Sequence, residues 1–305
     1  MTRHPLALLG LAFLNVAVAL LLAPLFEGVL RKMKAAIHSR LGPPLLQPYL
    51  DLAKLLGKEE LRTATGLLYR VLPALTLGAV LLLALFSPMG GPPPLGFAGD
   101  IIALLYVAAL SAVLLMLTAF ASKSPYATVG GSREMMTLLT VEPVLAVALV
   151  VGAVKAGTLS LAGIQAWQVD HGPAISTVIA GIAFLLALQA QAGKLPFDIP
   201  EADQEIMGGP LVEQSGPRLA LFRWAMWSKQ LVLAVVMIEL FAPWPRVGLL
   251  AVDLALTLVK ALVVLLVVGL VDVVNPRLRI EQAMGYFLRV AVSSLAALAF
   301  AVIGM

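Results

Sequence analysis

The chain has no cysteine. That excludes a disulfide framework and any zinc or iron–sulfur centre held by thiolates. Histidine is nearly absent too. His4, His38 and His171 are the only three, and none pairs with another at helical spacing inside an apolar run, which argues against a bis-histidine membrane haem. Any redox centre this protein serves therefore belongs to another subunit. Charge is scarce: 12% of the 305 residues are Asp, Glu, Lys or Arg, against about 25% in soluble domains. With 61% apolar residues and a mean hydropathy of +0.98, a soluble globular enzyme is excluded. No internal repeat of the kind found in many secondary transporters is visible.

What is present is a series of long apolar runs. A spanning helix needs about 20 mostly apolar residues. Eight such runs lie at 5–28, 67–87, 100–121, 135–155, 174–193, 221–242, 247–273 and 285–304. The first is too long for a signal-peptide core and is followed by Arg31-Lys32-Met33-Lys34, a stop-transfer pattern, so it reads as a retained helix. The expected fold is an all-α, polytopic integral membrane protein with about eight transmembrane helices, forming one transmembrane domain over 1–305. Amphipathic interfacial helices are expected in its cytoplasmic loops.

Most of the 21 basic residues fall in the connections at 29–66, 122–134, 194–220 and 274–284. By the positive-inside rule these are the cytoplasmic loops, and both termini lie outside. The cell inner (plasma) membrane is the expected location. This asymmetry accounts for the net charge of +4 without nucleic acid. Between 159 and 172 a short interfacial helix is expected on the outer side.

The cytoplasmic loops carry the polar chemistry. In loop 1, Gly42-Pro43-Pro44 stops a helix, and apolar residues at 45, 46, 49, 50, 52, 53, 55 and 56 then surround Asp51 and Lys54. With Lys58 these charges share one helical face, giving an interfacial helix that is either simply solvated or a docking surface for a soluble partner. In loop 3, Gly130-Gly131 permits either close backbone packing or a sharp turn. Loop 5 reads Pro196-Phe197-Asp198-Ile199-Pro200-Glu201-Ala202-Asp203-Gln204-Glu205, with Glu213 following. On a helix starting after Pro200, Glu201 and Glu205 are i, i+4 and repel when both are ionised. Glu201 and Asp203 could serve as helix-terminal acids. The whole cluster exceeds that need, and crowded, partly desolvated carboxylates raise one another's pKa into a range useful for proton exchange.

Ionisable residues inside spans are costly and are functional candidates by default. Glu142 precedes Pro143 in the fourth run, and Lys260 lies near the middle of the seventh. Glu239 and Asp253 sit near the outer ends of the sixth and seventh; they could snorkel, form a structural ion pair, or join Lys260 in one buried group.

At these residues the sequence resembles a known family, the membrane-anchor subunit shared by respiratory complex I, where it is NADH dehydrogenase subunit 1, and the group 4 membrane-bound [NiFe] hydrogenases. The resemblance rests on Ser39-Arg40-Leu41-Gly42-Pro43 with Asp51 and Lys54, and on Ser122-Lys123-Ser124-Pro125-Tyr126-Ala127 leading to Arg133 and Glu142. The loop 5 motif with Glu213-Gln214-Ser215-Gly216 completes it. The short stretch from Gly42 to Gln47 and Gly209-Pro210-Leu211-Val212-Glu213 look more like the formate-hydrogenlyase branch. Two positions depart from the family pattern, Asp203 for Glu and Gln214 for Tyr.

The resemblance implies a non-catalytic anchoring and coupling subunit of an oxidoreductase complex, without cofactor of its own. The [NiFe] centre and iron–sulfur clusters would sit in hydrophilic large and small partner subunits, and antiporter-like subunits would be membrane neighbours. It places Asp198, Glu201, Asp203, Glu205, Glu213 and Glu142 on a proton or ion path, to which the intramembrane Lys260 is added from its own position. Arg40, Asp51, Lys54 and Arg133 match docking-interface positions. A quinone-chamber subunit of a complex I-like NADH or ferredoxin oxidoreductase is the alternative, and an autonomous ion transporter the third.

Overall fold

The computed structural model describes residues 5–61, 66–96 and 100–304; His4 and the 62–65 part of the first cytoplasmic connection lie outside them. The described residues form helices and no strand. In chain order these are α1 (Pro5–Ile37), α2 (Gln47–Leu56), α3 (Leu67–Phe86), α4 (Ile101–Ala121), α5 (Pro125–Ala156) and α6 (Leu161–His171). They continue with α7 (Ile175–Gln191), the single turn α8 (Asp203–Ile206), a 3-10 turn at Gly209–Leu211, α9 (Gly216–Phe241), α10 (Leu250–Val274) and α11 (Ile280–Ile303).

Seven of these helices are long and apolar enough to cross a membrane. The eighth expected span is α7, with 17 residues. At about 1.5 Å per residue α7 falls short of a hydrocarbon core of roughly 30 Å. Gly172-Pro173 precedes it and Gly193 ends it. Ala180, Gly181, Ala183 and Ala187 line its buried side, and small residues of this kind let neighbouring helices approach closely. The expected interfacial helix between 159 and 172 is α6.

The core surrounds α9. In its most apolar stretch 72% is buried, against 22% for α1 and 28% for α11, so α9 is the central post and the other two face lipid. Helix α1 runs through Pro24, which leaves the Leu20 carbonyl without its helical donor. Trp224 Nε1 on α9 donates to that oxygen at 2.9 Å, and Ser228 Oγ donates to Ala19 O at 2.9 Å beside it. Asn15 Nδ2 joins α1 to α3 through Ala84 O and Ser87 O, both at 3.0 Å. A break in one helix thus becomes a point of attachment to the next.

The connections after α1, α4, α7 and α10 gather on one face. Arg31 on α1 meets Asp51 on α2 at 2.8 Å, Ser215 Oγ accepts from Leu61 N at 3.1 Å, and Leu278 N donates to Pro196 O at 3.0 Å. The other face holds α6 and the connections after α3 and α9.

Three local expectations change. Helix α5 begins at Pro125, so loop 3 is mostly helical. Proline suits a first helical turn, and the paired glycines serve close packing: a Cβ on Gly130 would lie 2.6 Å from Pro210 Cδ. No helix starts directly after Pro200. The left-handed residues Met207, Gly208 and Gly209 limit α8 to one turn, and a Cβ on Gly209 would collide with Pro200 O. Glu201 therefore lies outside the helix that holds Glu205. In loop 1, α2 ends at Leu56, so Lys58 is beyond the face shared by Asp51 and Lys54.

Candidate functional site

Two cavities meet at Glu201. The larger, of 430 Å³, lies on the loop face and is lined by Glu27, Arg31, Lys194, Glu201, Asp203 and Arg223 among others. The smaller, of 60 Å³, reaches into the bundle between α3, α4, α7 and α9; Asp198, Glu201, Glu134, Gln191 and Lys229 supply its polar lining. Ala192, Gly193 and Met226 also border both. A cavity of 60 Å³ holds on the order of two to four waters, and its walls offer them polar partners.

The loop turns Glu201 inward because Pro200 and the left-handed run after α8 fold the segment back on itself. Glu201 makes no hydrogen bond or ion pair with a described residue. Burial, with the nearby charges of Asp198 and Glu134, pushes its pKa up to about 8, against the opposing pull of Lys194. At neutral pH it holds a proton. Asp198 is pushed up by burial, although Arg277 donates to it at 2.6 Å. Asp203 is exposed and lines the larger cavity. Glu205 points away from the others to Arg133 at 2.6 Å, and that guanidinium holds it below the usual carboxylate range.

The remaining expected residues divide. Glu142 accepts from Gln191 Nε2 at 3.0 Å, so the smaller cavity and α5 communicate through Gln191. Glu213 is partly buried; its carbonyl accepts from Tyr69 Oη at 3.0 Å, and its carboxyl lines neither cavity. Lys260 lies elsewhere, donating to Ala242 O at 3.0 Å and Trp244 O at 3.2 Å beyond the far end of α9. It shares that region with Glu239 and Asp253 as one polar group. Arg246 and Glu239 are paired at 2.7 Å, and Asp253 accepts from Val247 N at 2.8 Å and Gly248 N at 3.0 Å. Of the docking candidates, Arg40 and Lys54 are exposed. Asp51 is turned to Arg31 and accepts from Gln47 at 3.0 Å; these two hold it below its usual range against the upward push of burial.

Sequence reasoning passed over four members of this site. Glu27 is buried and links Arg31 at 3.3 Å to Lys194 at 3.1 Å. Asp272 pairs with Lys34 and accepts from Leu195 N at 2.8 Å. Burial works against the Lys194 charge, but Glu27 and Asp272 outweigh it and raise its pKa. Glu134 lies at the edge of the fourth apolar run, where a charge is unremarkable; because α5 starts at Pro125, it lies well inside the helix. Lys229 stood within an apolar run, the signal that marked Lys260, and could have been found by it. Among the described residues no three His, Cys, Asp or Glu side chains are placed to hold one metal ion.

Long apolar helices with lipid-facing sides, and buried charge opening to one face, define a multi-pass membrane protein. The NADH dehydrogenase family profile matches residues 9–303. Hydrogenase-4 component C of Escherichia coli is 36% identical over 269 residues, spanning 86% of this chain and 85% of that protein. Formate hydrogenlyase subunit 4 of the same organism is 35% identical, spanning 88% and 90%. NADH-quinone oxidoreductase subunit 8 of Thermus thermophilus is 31% identical, spanning 78% and 70%. In the structure of the membrane-bound sulfane sulfur reductase, an archaeal respiratory membrane complex, one chain superposes with a TM-score of 0.88 at 30% identity, covering 97% of this chain and 99% of that one. This chain belongs to the NADH dehydrogenase subunit 1 family, whose members are membrane subunits of complex I-like or group 4 hydrogenase-type complexes, and it is a membrane subunit of a complex of that broad kind.

Proposed function

We propose that the chain anchors and couples a group 4 membrane-bound [NiFe] hydrogenase complex of the formate-hydrogenlyase type. The loop face is cytoplasmic and carries the hydrophilic large and small subunits, with Arg40, Lys54 and the exposed Leu41, Leu46 and Leu50 as contact points. Asp51 and Arg133 hold that face in shape through their ion pairs. Protons enter the larger cavity, are taken up by Glu201 with Asp198 and Asp203 beside it, and pass through the smaller cavity toward Gln191 and Glu142. From there charge moves laterally to antiporter-like neighbours. Glu205, held by Arg133, and Glu213 lie outside both cavities on the same loop face, and Lys260 balances the acids on the opposite face.

The observation that carries this reading is the position of Glu201, a carboxyl shared by both cavities and unpaired. A carboxyl desolvated among other acids and without a direct ion-pair partner keeps its proton near neutral pH and can release it when a neighbouring charge shifts. The charged lining of the larger cavity favours water and ions over a quinone ring, which supports the hydrogenase reading over a quinone chamber.

In the purified complex, Glu201→Gln is expected to leave assembly intact while reducing coupled turnover at least tenfold. Glu213→Gln is expected to slow turnover less. Wild-type hydrogen evolution and ion movement in both variants would overturn the coupling role. Turnover that requires quinone, or stops with a quinone-site inhibitor, would move the protein to the complex I-like alternative.

A further inference from the structure

Beyond the acids of loop 5, the smaller cavity holds a buried cation that the proposed path does not use. Lys229 on α9 is 8% exposed, lines the cavity and makes no hydrogen bond or ion pair with any described residue. A lysine at this depth without a partner is costly. Two α5 carboxyls, Glu134 and Glu142, lie within its electrostatic reach. Glu134 borders the same cavity and, with Gln191, Thr137 and Val141, a second void of 20 Å³. Gln191 in turn donates to Glu142 at 3.0 Å. Glu134 is also close enough to Glu201 for its charge to oppose ionisation there. The remaining polar groups facing the cavity are Asp198 from loop 5, Thr76 from α3 and Ser111 from α4.

We infer that Glu134 is the acceptor that follows Glu201 on the path, and that Lys229, which lines the same cavity, is a positioning residue that sets how readily Glu134 takes the proton. The inference rests on the coupling role proposed above. Glu201 gives up its carboxyl proton to cavity water, the water passes one proton to the Glu134 carboxylate, and the negative charge moves back to Glu201. Mutual repulsion of Glu201 and Glu134 keeps both from being ionised together, so one proton is shared between loop and span. Without Lys229 the transfer would lack a well-poised acceptor.

The test uses the intact complex in native membrane vesicles, with turnover and internal acidification followed against pH. Lys229→Met is expected to lower coupled turnover at least tenfold and to move the rising limb of the pH profile up by about one unit. Lys229→Arg should restore turnover to within threefold of wild type. A loss without a shift of the limb would mean a structural role only and overturn the inference. Wild-type behaviour of Lys229→Met while Glu201→Gln is impaired would overturn it and leave the coupling role standing; wild-type behaviour of both would overturn both. If Lys229→Met does not assemble, Glu134→Gln decides, since it keeps the lysine and its packing. A tenfold loss supports the inference and wild-type turnover rejects it.

Discussion

The two ends of α9 treat a buried acid in opposite ways. At the far end Glu239 is 1% exposed and fully engaged: it accepts from Gly90 N, Gln165 Nε2 and Thr257 Oγ1, and Arg246 neutralises it. It joins α6, α9, α10 and the connection after α3, a clamp with no capacity left for exchange. At the near end Glu201 opens into two cavities and has no partner. Burial alone does not make a carboxyl functional; the number of donors around it decides whether it is a fastener or a carrier.

Replacing the clamp should produce the largest effect. Glu239→Leu leaves Arg246, Gly90 N and Gln165 Nε2 without their acceptor, while Thr257 keeps Asp253 O, and breaking such a buried pair costs about 3–5 kcal/mol. The thermal midpoint of the solubilised complex should fall sharply, whereas Glu201→Leu should leave it unchanged or higher. Equal midpoints for the two variants would abolish the contrast.

The second test follows the Glu201 proton. Its carboxyl should give an infrared band at pH 7 that fades as pH rises through about 8 and is missing in Glu201→Gln. The linkage sign is set by the raised value. Between the ordinary 4.5 and about 8 the folded chain holds a proton that the unfolded chain has lost, so this acid makes stability fall as pH rises through that window. Glu201→Gln should flatten the slope, and an unchanged slope would place the proton on another group.

A smaller effect is expected from Asp51→Asn, which weakens the hold of α2 on α1. Arg31 and Asp51 are both partly exposed, so solvent screening limits the loss to about 1 kcal/mol. Limited proteolysis within loop 1 should be faster, with coupling nearly intact. Smallest of all is Glu205→Gln. The carboxyl is 53% exposed, and screening keeps the loss of its pair with Arg133 below about 1 kcal/mol. That contribution is present above the ordinary carboxylate pKa and disappears as pH falls through the lowered folded value. A loss comparable to that of Glu239→Leu would show that the loop-face pairs are also clamps.

Much of the architecture was legible in the chain because long apolar runs have few physical outcomes. Every expected span has a helix in it, and α2 and α6 lie where interfacial helices were expected. The loop 5 acids were legible as a cluster, but their division was not. Asp198, Glu201 and Asp203 border the cavities, Glu205 turns to Arg133, and Glu213 packs near Tyr69. Periodicity suggested a helix after Pro200, yet tight packing of Gly209 against Pro200 O left room for one turn. Lys260 and Lys229 gave the same signal in sequence, a cation in an apolar run; only their neighbours distinguish a lysine bonded to two carbonyls from one that faces a cavity without a hydrogen-bond partner.

The sequence by itself determined that this protein crosses the membrane repeatedly and concentrates its polar residues in a few connections, because lipid admits only long apolar helices with internally satisfied backbones. Tertiary structure alone decided which charges are paired, which face water-sized space and which helix stands at the centre. Those outcomes depend on residues far apart in the chain, such as Glu27 with Lys194 or Gln191 with Glu142, and no local pattern encodes the meeting of two side chains across a bundle.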